Sequence, residues 1–396
     1  MHPIARTSLE MNIVQTTSGP YLSAGQNQFR SLWTRDFCFS IRALFEINRA
    51  DVVKNHLTRL IESRREIDGL VPRVLDSIQP RLRVLAACAL PNAVRETIAR
   101  PFIKPIAEPI LAEYVDEHGS EAIDSNLLVL RGAFQYFRQT GDELWLSRMR
   151  PALEEIWGYY RRRRRGVNGP ILQGPFTDWQ DSLNRSGATL YTNVLLYSVL
   201  KSAAELQLFD MRPIDPENFR AQTLAEFYWP EKKLWRSEID VGGKALDRLS
   251  LDYHLLGLEC GFFGETRSSK NKKNEIQDDA KSVYAALKNS ELWLKSPRGV
   301  PGFNSSAHYP AREKTWAVRL AGLERYHEDL YWSWLMSFAA RIALQMGDTE
   351  ESGRIYAQLH SLFERDQSVY EIYDPKDLRP FASRLYNSEH PFSWGC

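Results

Sequence analysis

GPFTDWQDSLNRSGATLYTNVLLYSVLKSAAEL, residues 174–206, falls into two halves with different patterns. From Ala188 onward the apolar residues recur at helical spacing, and the period predicts a helix over 188–208. The half before it packs Asp178, Trp179, Asp181 and Arg185 into the short entry to that helix. Such a loop is either solvated punctuation or part of the lining of a site, and the rest of the chain has to discriminate between the two.

Working outward, helical periodicity dominates. RDFCFSIRALFEIN (35–48) aligns Phe37, Ile41, Leu44 and Phe45 on one stripe, and 50–64 repeats the pattern with Val53, Leu57 and Leu60 before DGLVPR (68–73) breaks it. A second pair spans 122–139 and 142–165, joined at Thr140-Gly141 with Asp142 as N-cap. A third is 188–208 with 215–228, a fourth 245–260 with 273–289. A fifth is 328–346 with 349–365, joined at Gly347-Asp348. Strand signals are few and no fixed-length repeat is present. Helix pairs with short internal turns and long irregular connections predict an all-α fold, an (α/α)6 toroid of helical hairpins formed by residues 1–396 as one domain. In that arrangement the long loops gather around one funnel.

Two stretches depart from the pattern. Residues 77–120 carry Pro80, Pro91, Pro101, Pro105 and Pro109 and read as an irregular insertion, a lid over the funnel. Residues 262–325 form the second, and SSKNKKNEIQDD (268–279) within it reads as a charged, solvated tip.

Composition narrows the function class. Hydrophobic residues are 43%, charged residues 26% and the net charge +1, so no global charge points to nucleic acid or an anionic membrane. No apolar run of about 18 residues and no leader-like N-terminus is present, so neither a membrane span nor a signal peptide is expected, and the cytoplasm is the default compartment. Cys38, Cys88, Cys260 and Cys396 are scattered singly, as buried thiols in a reducing compartment would be. The eight histidines form no metal-ligand spacing, so no metal or cofactor is expected. Nucleophile-elbow, phosphate-loop and dinucleotide motifs are absent. Aromatics are abundant at 12%, with 11 Trp and 17 Tyr.

The chemistry-bearing residues sit where chains enter helices. SLWTRDF (31–37) offers Trp33 as a flat apolar face and Arg35 and Asp36 as donor fork and acceptor for vicinal hydroxyls; a dipole-favoured Asp and a solvated Arg explain the same residues without a ligand. Asp124 precedes the 122–139 helix, as an N-cap or as a further hydroxyl acceptor. In TDWQDSLNRSG (177–187), Trp179 as an apolar wall and Asp178 as a like charge are the two influences that keep an acid such as Asp181 protonated. In SVYEIYDPKDLRPFASRLYNSEHPFSWG (368–395), Glu371 lies between tyrosines, and Arg384, Tyr386 and Trp394 follow closely; the segment is either a tail pinned by aromatics or the seat of a general base.

These motifs, in this order, resemble a known group. LWTRDF with GLVPR, AIDSNLLVLRGAFQYFRQTGD and TDWQDS with its following helix resemble the glucosidase domain of glycogen debranching enzymes. YEIYDP with SRLYNSEHPFSW is similar to the last motif of neutral/alkaline invertases and to the base segment of some inverting α-glucosidases. All are (α/α)6 glycosidases. The resemblance implies Asp181 as general acid and Glu371 as general base, with Trp33, Arg35, Asp36 and Asp124 lining the terminal-sugar subsite. Asp178, Trp179, Arg384, Tyr386 and Trp394 would be wall or support. It implies an inverting, exo-acting, debranching-type α-glucosidase acting on an oligosaccharide or disaccharide, or a sucrose-cleaving invertase; a carbohydrate-binding protein without turnover is the third reading. Relatives continue past the equivalent of FSWG into a closing helix, so the ring is expected to be completed by the N-terminal segment, left incomplete or closed by a neighbour.

Overall fold

The computed structural model describes residues 1–78, 106–116, 118–163, 169–207, 214–264, 279–294 and 300–396. Pro80, Pro91, Pro101, Pro105 and Cys88, and nearly all of the 268–279 tip, lie outside them. The helices that build the frame are α1 (Pro3–Met11), α2 (Thr34–Glu46), α3 (Ala50–Glu62), α4 (Ser125–Thr140), α5 (Glu143–Gly158) and α6 (Leu190–Leu206). They continue with α7 (Pro216–Phe227), α8 (Leu251–Cys260), α9 (Ala280–Lys288), α10 (Ser333–Gln345) and α11 (Thr349–Asp366).

The five expected hairpins are α2–α3, α4–α5, α6–α7, α8–α9 and α10–α11. Neighbouring first members pack on one another in sequence, α2 on α4, α4 on α6, α6 on α8 and α8 on α10, and so form the inner ring. The inner position explains α6, which buries every residue from Leu190 to Leu200: a helix apolar all round has to be enclosed. Close approach shows at Gly132 on α4, where an added Cβ would meet Ile41 Cδ1 at 2.7 Å and Leu57 Cδ2 at 3.3 Å. Four of the outer helices, α5, α7, α9 and α11, start on aspartates, whereas α3 starts at Arg49 without a side-chain cap. Asp142, Asp215, Asp279 and Asp348 accept from Trp145, Asn218, Ser282 and Glu351 backbone N–H groups, and Gly141 ends α4 in the left-handed region.

The sixth sector is filled differently. The helix α1, for which no periodicity is predicted, packs on α11. On the inner side the 387–396 segment takes the place of a helix. Trp394 stacks on both Phe39 of α2, at 4.7 Å between centroids, and Trp334 of α10, at 4.4 Å. Ser393 N–H donates to Ala24 O, and Asn12 Nδ2 donates to Pro391 O. The Glu389 carboxylate accepts from the backbone N–H groups of Gln26, Asn27 and Phe29. The N-terminal segment and the tail together thus occupy the sixth sector, the first of the three arrangements expected for it.

Two- to four-residue strands tie the long loops together at the mouth. Leu32–Trp33, Val74–Asp76 and Leu111–Glu113 form one antiparallel sheet, Ala188–Thr189 pairs with Glu238–Ile239, and Tyr331–Trp332 pairs with Ile372–Tyr373. The first joins the described end of the 77–120 insertion to the segment before α2. Among the described residues no helix is long and apolar enough to cross a membrane.

Candidate active site

The described strands and loops that precede inner helices α2, α4, α6, α8 and α10 lie on one side of the frame, so the residues at the inner-helix starts converge at one end of the ring. Inner helices α2, α4, α6 and α10 start without a side-chain cap. Their first-turn N–H groups and positive dipole ends therefore face the same space, which favours acids and polar ligands there.

Arg35, in the first turn of α2, organises this space. Its Nε donates to Asp124 Oδ1 and Oδ2 at 3.1 and 2.8 Å, its Nη1 to Asp181 Oδ2 at 2.9 Å and its Nη2 to Thr177 O at 3.2 Å. Asp124 is wholly buried and caps nothing; it holds Arg35, with Tyr191 Oη donating from the other side. Its side chain therefore does not make the N-cap bond expected of it. Burial pushes its carboxyl up, and Arg35 opposes that.

Asp181 is 32% exposed and sits among two arginines and a histidine whose own pKa burial lowers. Beyond Arg35, the Arg73 guanidinium is 4.0 Å from Oδ2 and His327 Nε2 is 3.8 Å from Oδ1. The Trp33 ring backs Arg73, 5.1 Å from its guanidinium. Burial pushes the Asp181 carboxyl up, but the His327 contact and the two arginines outweigh it and hold the group down to about 2. The expectation that Trp179 and Asp178 keep Asp181 protonated is thereby corrected. Asp178 points away from it: buried, it accepts from Gln180 N and Gln173 Nε2 at 2.9 Å each and pairs with Arg185 at 3.4 Å, fixing the loop from beneath. Trp179 donates its Nε1–H to Asp252 and stands edge-on to His327, Trp332, Trp334 and Trp394.

Glu371 lies in a contrasting environment. It is 2% exposed; Tyr326 Oη donates to one carboxyl oxygen and Tyr386 Oη to the other. The Tyr331–Trp332/Ile372–Tyr373 ladder and the bond from Ser333 N–H to Glu371 O at 3.0 Å set it beside the start of α10. Burial dominates and raises the Glu371 carboxyl to about 8; the tyrosines counter it, and Glu389 and Asp36 add repulsion. Asp36 is itself raised to about 7, mainly by burial, within electrostatic reach of Arg35, Asp181 and Glu389.

The two acids flank one dipeptide: Tyr326 binds Glu371, and His327, stacked parallel on Trp332 at 5.5 Å, faces Asp181. Asp36 lies near both. Arg384, by contrast, is exposed, and no hydrogen bond or ion pair of this site involves it. Sequence reasoning passed over Tyr326, His327, Arg73 and Asp252. The signal for Tyr326 and His327 was ERYHEDLYWSW (324–334), which precedes α10 as SLWTRDF precedes α2; Arg73 ends the DGLVPR break and Asp252 opens α8, and neither carries a signal of its own. Several buried polar atoms here have no hydrogen-bond partner among the described residues: Gln180 Oε1, Asp252 Oδ1, Asn304 Nδ2 and His327 Nδ1. Buried polar groups demand partners, so this lining suits a ligand rich in hydroxyls. Among the described residues the one grouping of metal-ligand side chains, His2, His360 and Glu364, lies instead between α1 and α11.

No protein-family model and no curated protein matches the chain. Solved structures do. A GH63 mannosylglycerate hydrolase from Thermus thermophilus, in complex with Tris and D-glycerate, superposes with a TM-score of 0.63 at 13% identity over 99% of this chain and 97% of that one. The fold is that of the (α/α)6 glycosidases. A glycosidase in complex with glucose matches with a TM-score of 0.63 at 13% identity, over 100% of this chain and 93% of the other. A rhamnosidase from Klebsiella oxytoca with rhamnose bound gives 0.58 at 15% identity; there 99% of this chain spans 61% of the larger protein.

Proposed function

We propose that the chain is an inverting, exo-acting glycoside hydrolase using Asp181 and Glu371. The observation that carries this reading is that two carboxyls from distant loops, one held ionised by cations and one held protonated by burial, meet on either side of Tyr326–His327. Inversion needs an acid on the leaving oxygen and a base on a water across the ring, about 6.5–9.5 Å apart. One proton shared between two unlike sites is the required charge state. Arg35, Asp36 and Trp33 hold the terminal sugar, and the hydroxyl-hungry lining around Asp252 and Asn304 supports a small polar ring at the base of the site. The glycosidases that share the fold support the same reading. A debranching-type α-glucosidase is the first expectation, because the 31–73 segment carries that resemblance; sucrose cleavage is the alternative carried by the C-terminal motif.

The resemblance makes Asp181 the acid. Burial raises Glu371 while the arginines and His327 lower Asp181, which favours the opposite assignment, Glu371 as acid and Asp181 as base. Activated glycosyl fluorides decide, because a good leaving group needs no proton. If Asp181 is the acid, Asp181→Asn keeps most of its activity on the fluoride and Glu371→Gln does not; the swapped roles predict the reverse. Product release from sucrose, maltose, isomaltose and trehalose, with the anomer followed by NMR, tests the class. Retention of configuration or an inert panel overturns the proposal, and sugar binding without turnover leaves the binding-protein reading.

A further inference from the structure

We infer that Trp316, with Leu320, is a stacking platform at the rim of the mouth for the leaving-group portion of a saccharide. The inference rests on the glycosidase reading and adds a second subsite to it. Trp316 and Leu320 lie four residues apart on the one-turn helix Trp316–Leu320, on one face, and are 53% and 65% exposed. A large aromatic and a leucine standing side by side in water call for a partner.

Their placement says which one. The backbone just before the helix is stapled to the residues that follow Asp181: Leu183 bridges Lys314, Asn184 N–H donates to Glu313 O at 2.7 Å, and Thr315 N–H donates to Ser182 O at 3.0 Å. Just after it, Ser383 Oγ donates to Ala321 O, tying the helix to the loop that carries Tyr386, and the chain runs on to Tyr326, which donates to Glu371. Lys314 Nζ anchors the segment from below on the buried Glu328 at 2.6 Å. The platform is therefore continuous with the loops of both acids. It lies outside the buried site that would take the terminal sugar, where the remainder of a longer substrate would emerge. An indole face matches the C–H face of a pyranose, and stacking of this kind tolerates variation in the sugar. A second copy of the chain is the poorer fit: the two side chains offer roughly 250 Å² or less, against the ~800 Å² per partner of a stable dimer.

The test uses the full chain carrying Asp181→Asn, so that ligands survive, and isothermal titration with glucose, maltotriose and isomaltotriose. The expected result is that at least one trisaccharide binds more tightly than glucose. Adding Trp316→Ala should then weaken that trisaccharide about 5- to 30-fold and leave glucose unchanged, while Trp316→Phe keeps most of the affinity. Trisaccharide binding that Trp316→Ala does not alter overturns the platform and spares the glycosidase reading; failure to bind any of the sugars overturns both. Sedimentation that shows a concentration-dependent dimer lost in Trp316→Ala assigns the face to a second copy and overturns the platform.

Discussion

Four outer helices and four inner helices begin in opposite ways; α3 of the outer ring, uncapped at Arg49, and α8 of the inner ring, starting at Ser250, stand apart from the contrast. Outer helices α5, α7, α9 and α11 follow short or polar connections and start on aspartates that bond their own first turns. Inner helices α2 and α10 start at Trp33 and Trp332, after two-residue strands, with no side-chain cap. At α4 an aspartate stands in the cap position and ignores the helix, giving its carboxylate to Arg35 89 residues away in sequence. Aspartates of the outer ring serve local stability, and those of the inner ring serve long-range charge placement. Substitutions at the two kinds of start should therefore fail differently.

The largest effects belong to the inner face. Asp181→Asn and Glu371→Gln should each lower kcat on the natural substrate by a factor on the order of 1,000 or more, because acid–base catalysis contributes about 100- to 10,000-fold per group, with folding intact by circular dichroism. The kcat/KM profile of the unsubstituted chain should be a bell with its alkaline limb near 8, from Glu371, and its acid limb near 2, from Asp181. Both assignments of acid and base give this same bell, since each requires one proton on the pair. Tyr386→Phe removes a bond that lowers the Glu371 carboxyl, so the alkaline limb should move up. An alkaline limb that stays in place in that variant would break the link between Tyr386 and Glu371.

Asp124 should show the cost of charge placement. Asp124→Ala leaves the buried Arg35 Nε–H without the carboxylate it donates to, and breaking a buried pair costs about 3–5 kcal/mol. Denaturant unfolding should show that loss, together with weakened activity from the displaced Arg35. An effect near 1 kcal/mol would mean that Asp124 acts as an ordinary cap after all.

Glu371 should reveal itself in stability as well as rate. Its folded-state pKa of about 8 lies above the ordinary 4.5. The folded chain keeps a proton that the unfolded chain releases, so stability falls as the pH rises from about 4.5 to 8 and levels off above that. Glu371→Gln cannot ionise, and melting at pH 9 should find it more stable than the unsubstituted chain by on the order of a few kcal/mol, with the gain shrinking toward pH 5. A pH-independent difference would sink the idea that a buried charge is the penalty.

How much of this was legible follows from what each feature depends on. The hairpins were, because inner and outer helices bury apolar faces at helical spacing, and Asp142 and Asp348 mark outer starts by local chemistry alone. Asp181 was visible as an acid at a helix entry, and Glu371 as an acid between tyrosines in the C-terminal loop. Their charge states were not: Asp181 is set by Arg73 and His327, and Glu371 by Tyr326, all brought in by other loops. The role of Asp124 was hidden for the same reason, since a cap and a long-range anchor look alike in one dimension. The sixth sector was illegible because it is built without periodicity, from a tail whose aromatics stack between two helices.

The smallest predicted effect tests the outer ring, at Asp142. Its Oδ1 accepts from Trp145 N–H at 3.0 Å, and its Oδ2 accepts from Lys54 Nζ at 2.7 Å and Tyr136 Oη at 2.8 Å. The cap is worth about 1 kcal/mol and the exposed Lys54 pair a few tenths. Asp142→Asn keeps a capping oxygen and should cost little; Asp142→Ala loses the cap and should cost about 1 kcal/mol, read from urea midpoints. Neither should touch kcat or its pH profile, because nothing at this start reaches the mouth. If Asp142→Ala instead slows turnover while Asp124→Ala costs no more stability than it does, the division of labour between the rings is wrong, and the inner aspartates are caps like the rest.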